Sequence, residues 1–110
     1  MDVQQIISML KPLVENLVEG EYQLIQLTGR SGPYTSEELK ELVEEYGGKL
    51  TIPPDEDYKN INIIEVEEES EYFIEYELWV DGEKSDLTLS CTIRFTEDEV
   101  RIMIENIHVL

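Results

Sequence analysis

Cys91 and His108 are the only cysteine and histidine in the chain, so the sharpest catalytic arrangement open to it is a thiolate beside an imidazole. Their positions argue against that pairing. Cys91 falls on the inward phase of an alternating apolar run, where a small buried thiol is inert. His108 lies near the end of the sequence with no serine or cysteine beside it. The abundant group is the carboxylate, with 26 acidic residues against 8 basic ones and a formal charge of -18. In so acidic a chain, neighbouring carboxylates arise from composition alone and are no evidence of general acid–base catalysis. The triplet Asp55, Glu56, Asp57 and the run Glu65, Glu67, Glu68, Glu69, Glu71 offer oxygen donors for calcium or magnesium. Neither has the alternating donors and central glycine of an EF-hand loop, and phosphate-binding glycine loops, nucleophile elbows and paired zinc-ligand motifs are absent. No catalytic residue, cofactor or metal is therefore expected.

The carboxylates are unevenly spread. Residues 55–77 hold ten of them, the eight named above with Glu75 and Glu77, against Lys59 alone. A cluster of this kind suits a basic partner surface or mimics phosphate spacing, with Phe73 and Trp79 as aromatic anchors within it. A bland reading stands beside this one: a hairpin charged on its outer face for solubility and against edge pairing. A second acidic strip runs through Glu37, Glu38, Glu41, Glu44 and Glu45. The first two favour a helix N-terminus through the dipole, whereas Glu44 and Glu45 sit where that effect is unfavourable. Binding residues are thus expected among the carboxylates of residues 55–77, Phe73, Trp79, Glu41, Glu44 and Glu45.

These side chains need a scaffold. Val3, Ile6, Ile7, Leu10, Val14, Leu17 and Val18 recur at helical spacing over residues 1–19, with a kink or short break expected at Pro12. Residues 22–27 read either as an extension of that helix or as a short strand. Thr35 and Glu38 form a capping box for a second helix carrying Leu39, Leu42, Val43 and Tyr46, and Gly47 and Gly48 end it. Residues 49–60, with Pro53 and Pro54, suit an exposed loop. The period then becomes two. A strand near residues 61–68 pairs as a hairpin with Tyr72, Ile74, Tyr76, Leu78 and Val80 across Glu69 and Ser70. Leu87, Leu89, Cys91, Ile93 and Phe95 form a third strand, and Val100, Ile102 and Ile104 a fourth. The apolar phase then shifts to Ile107 and Val109, which predicts a β-bulge near Glu105 and Asn106. Ser85 and Asp86 are expected to hydrogen-bond the backbone near the turn after Val80.

The whole describes one α+β domain over residues 1–110: two N-terminal helices on a curved antiparallel sheet of about four strands. Cone-like folds of the cystatin or nuclear transport factor type have this look. The lone cysteine excludes an intrachain disulfide, and no segment approaches the roughly 20 apolar residues that cross a bilayer. A cytoplasmic protein that avoids nucleic acid and anionic lipid is expected. An exposed edge strand would permit a dimer.

Leu78-Trp79, Gly82, Ser85-Asp86-Leu87-Thr88-Leu89 and Ile104-Glu105-Asn106-Ile107-His108-Val109-Leu110, with Glu38-Leu39, Tyr46-Gly47 and Pro53-Pro54 upstream, carry a family likeness. The chain resembles a family of small bacterial domains of unknown function, some of which look like immunity proteins of toxin systems. The resemblance implies stoichiometric binding to a cognate toxin, and the acidity would suit a basic nuclease. An acidic housekeeping binding module or accessory subunit, including a mimic of DNA charge, is the alternative. A small enzyme using the concave face of the sheet is the third reading, on fold analogy alone.

Overall fold

The computed structural model describes residues 1–66 and 70–110. Asp2 caps the first helix, α1 (Val3–Val18), accepting from the Gln5 N–H while the Gln5 side chain accepts from the Asp2 N–H. Ile6, Leu10, Leu13, Val14 and Leu17 form its buried stripe. The helix runs through Pro12 without a break. Pro12 is exposed, and its neighbours Leu10, Leu13 and Val14 are fully buried. Packing on both sides of the proline thus offsets the lost backbone bond, a penalty of about 3 kcal/mol.

Residues 22–27 are neither a continuation of α1 nor a strand. They form a separate short helix, α2 (Tyr22–Leu27), anchored by buried Ile25. The Glu21 N–H reaches back to the Asn16 carbonyl and the Gly20 N–H to Leu17, a C-terminal pattern that closes α1 and frees the chain to turn. The third helix, α3 (Ser36–Tyr46), has the expected Thr35–Glu38 capping box and buries Leu39 and Val43.

The strands are β1 (Leu50–Thr51), β2 (Asn62–Val66), β3 (Glu71–Val80), β4 (Glu83–Phe95) and β5 (Val100–Val109). All pairings are antiparallel. β1 and β2 share one side of β3, followed by β4 and then β5, in an open sheet that does not close into a barrel. β2 pairs with β3 from Asn62↔Glu75 to Val66↔Glu71; Glu67, Glu68 and Glu69 lie outside the described residues. The helices cover the face carrying Ile74, Leu78, Leu89, Cys91, Ile93, Ile104 and Ile107. Ser90 pairs with Asn106 and Cys91 with Ile104, so Glu105 is the extra residue of a bulge that turns both Ile104 and Ile107 inward.

The expected exposed loop before β2 is largely ordered. β1 pairs Leu50 with Val80, and a 3₁₀ turn (Asp55–Asn60) buries Asp57 and Tyr58 between β1 and β2. Two proline residues and three acids in sequence hid this. The acids face different ways, and burial there is decided by partners distant in the chain.

Candidate functional site

Asp57 is the centre of the acidic triplet, and it points inward. It is 7% exposed. Its Oδ2 accepts from the Tyr76 hydroxyl and, at 2.9 Å, from the Trp79 indole N–H. Its Oδ1 accepts from Asn60 Nδ2 at 3.0 Å, and the Lys84 ammonium lies 3.2 and 3.3 Å from the two oxygens. Burial alone would raise this carboxyl's pKa, but the hydrogen bonds from Tyr76, Trp79, Asn60 and Lys84 outweigh it and bring it down to about 2. Tyr76 stacks on Tyr58 at 5.2 Å between ring centroids, and Lys84 lies 5.4 Å over the Tyr76 ring. The arrangement pins the 3₁₀ turn to β3 and β4. Asp57 is therefore no exposed binding carboxylate, and Trp79, half-buried with its N–H engaged, is a strut where a free anchor was expected.

The remaining expected residues stay nearer the surface. Asp55 pairs with Lys11 at 2.8 Å, Glu56 is exposed, and Glu65 is exposed on β2. Glu71 pairs with Arg94 at 3.0 Å. Phe73 is half-buried on the sheet face away from the helices, flanked in register by Ile64 and Thr92. Glu75 accepts from Asn62 Nδ2 at 3.2 Å, and with exposed Glu77 it lines a shallow cavity of about 220 Å³ that also touches Asn60, Asp86 and Thr88. Glu41, Glu44 and Glu45 are exposed on α3, which packs against β5 on the other side of the sheet from β2. The structure thus divides the expected surface into one acidic field at the β2–β3 side and another on α3. Glu67, Glu68 and Glu69 fall outside the described residues.

The few cations do little to relieve these fields. Lys11, Lys40, Lys84, Arg94 and Arg101, five of the eight basic residues, each lie within an ion pair. Their charge is spent locally, and most carboxylates keep theirs.

Cys91 and His108 do not meet. Cys91 is fully buried toward the helices, and burial pushes its thiol well above the usual range. The His108 ring lies on the opposite face, 3.3 Å from Ser90 Oγ and 2.8 Å from Asn106 Nδ2. Asn106 Oδ1 accepts from the Ile107 N–H at 2.8 Å and the Tyr34 hydroxyl at 3.2 Å, which fixes the amide with its nitrogen toward His108. In the neutral ring Nδ1 is then the acceptor, and Nε2 carries the proton and donates to Ser90. This is the reverse of what a serine nucleophile needs. Ser90 is also 2% exposed.

Sequence reasoning overlooked Ile64, 49% exposed on the outer face of β2. Its signal was present. Ile63 and Ile64 are adjacent, so a period of two must turn one of them outward.

Among the described residues no group of His, Cys, Asp or Glu is placed to hold a metal ion, and no helix is long and apolar enough to cross a membrane. Comparison with curated proteins and with solved structures found no match. A family model described as a domain of unknown function, DUF7668, matches residues 14–110, from the C-terminal part of α1 through all five strands, and the chain belongs to that family.

Proposed function

We propose that this chain works by stoichiometric binding to a basic protein, as an immunity protein that neutralises a cognate toxin. One observation carries the reading: among the described residues five of the basic side chains are tied into ion pairs, while exposed carboxylates line both the β2–β3 side and α3. Such a surface attracts a basic partner over a Debye length and speeds encounter, and salt weakens the effect. Covering a basic active-site cleft is the simplest way for it to inhibit, since it needs no chemistry from this chain.

The test is affinity capture of the tagged protein at low salt, with elution over a salt series and mass spectrometry. A basic partner released near one-to-one, captured more slowly by a Glu67→Lys, Glu69→Lys variant of unchanged thermal stability, is the expected result. Recovery of an abundant housekeeping complex instead would favour an accessory subunit.

A further inference from the structure

The two free sides of the sheet are treated differently. On β5 outward groups around the bulge are occupied: the Ile104 N–H donates to the Arg30 carbonyl at 2.9 Å, the Glu105 carbonyl accepts from the Tyr34 hydroxyl at 3.3 Å, and the Ile107 N–H donates to Asn106 Oδ1 at 2.8 Å. Gly32 lies so close to the Ile104 carbonyl that no side chain would fit between them. These contacts blunt β5 against another strand.

β2 has no such cover. Because the Ile104 N–H turns away from β4, the alternation of an antiparallel register turns Cys91 toward β3 and Ile74 toward β4. Ile63, opposite Ile74, and Glu65, two residues on, therefore direct their N–H and C=O groups out of the sheet. Among the described residues nothing donates to or accepts from those groups. Ile64 and Phe73 form an apolar shelf immediately inside this edge, and Glu65 is exposed on it.

We infer that the free edge of β2 receives an extended, lysine- or arginine-bearing segment of the partner as an added strand, a proposal that rests on the binding reading above. Main-chain hydrogen bonds to Ile63 and Glu65 supply the docking. Apolar side chains of the segment on one face extend the Ile64–Phe73 shelf, and basic side chains on the other meet Glu65, which the alternation of β2 turns away from that shelf. A second copy is disfavoured as the occupant, because at a charge of -18 per chain it brings the same anionic region against itself.

The probe is a short synthetic peptide alternating lysine with valine, and its control alternates lysine with glycine at equal charge. The valine peptide is expected to bind about tenfold more tightly than the control and to slow amide exchange at Ile63 and Glu65. Glu65→Pro deletes one outward N–H without touching the bonds to β3, a place where an edge strand accepts proline, and should cost about another tenfold in affinity. Glu65→Gln keeps the N–H and should lose less. The exchange readout on the unaltered protein stands even if the proline variant unfolds. Equal binding of the two peptides, or protection elsewhere than β2, would overturn edge docking and leave charge-driven binding intact. No binding of either peptide at low salt would overturn both.

Discussion

The indole N–H of Trp79 stands 2.9 Å from the carboxylate of Asp57, twenty-two positions earlier in the chain. With the Tyr76 hydroxyl and the Lys84 ammonium on the same carboxylate, the bond ties the 3₁₀ turn, β3 and β4 into one unit. Asp57→Ala leaves three neutral donors, Tyr76, Trp79 and Asn60, without this acceptor and Lys84 without its counter-charge, and should cost about 3 kcal/mol in urea unfolding at neutral pH. Glu56→Ala, on an exposed neighbour, should change little.

The same carboxyl gives a pH signature. Its folded pKa of about 2 lies below the ordinary 3.8, so its contribution is present above pH 4 and lost as pH falls toward 2. The size is about 2 kcal/mol. Protonation of the other carboxylates relieves self-repulsion over the same range and obscures this loss in the native protein alone. The readout is therefore the difference between native and Asp57→Asn unfolding free energies, which should shrink between pH 4 and pH 2.

Tyr58 presents the opposite case. Its hydroxyl is buried with no hydrogen-bond partner among the described residues, and burial with nearby Glu15, Asp55 and Asp57 pushes its ionisation upward. Tyr58→Phe should be neutral or stabilise by up to about 1 kcal/mol. Tyr76→Phe, which removes a donor from Asp57, should destabilise. Thermal denaturation of the pair checks the contrast.

A side chain at Gly32 would place its Cβ 2.0 Å from the Ile104 carbonyl oxygen, at a φ of +59°. Steric overlap adds to the left-handed strain, and Gly32→Ala should cost about 3 kcal/mol. Gly82, in the turn between β3 and β4, has φ +78° and nothing within 4 Å. Gly82→Ala should therefore show only the conformational part, about 1 kcal/mol. Comparing the two by urea unfolding separates crowding from strain.

His108 offers a spectroscopic check. Nitrogen-15 shifts of the neutral ring should report the proton on Nε2, because Asn106 Nδ2 donates to Nδ1. In Asn106→Asp the carboxylate can accept from Nδ1, and the proton should move there. An unchanged tautomer in that variant would contradict the amide orientation.

Features set by neighbours in sequence were legible before the structure. Thr35 and Glu38 are three residues apart, and the bulge at Glu105 follows from the apolar phase slipping between Ile104 and Ile107. The α+β order follows from the change of period after residue 60. What stayed hidden depends on distant partners. Asp57 looked like part of a solvated acidic loop because Tyr76, Trp79 and Lys84 lie far along the chain. α2 is six residues long, too short for its period to declare itself. For the candidate surface, the acidity was legible, but its division between β2–β3 and α3 was not, since charge counts carry no direction.

Cys91 gives the protein a built-in clock. The lone thiol sits at the centre of β4 with no exposed surface, and its raised pKa leaves little thiolate at neutral pH. An alkylating reagent can reach it only after β4 has parted from the helices. The rate of labelling in the intact protein therefore times the opening of the core, with no engineered probe.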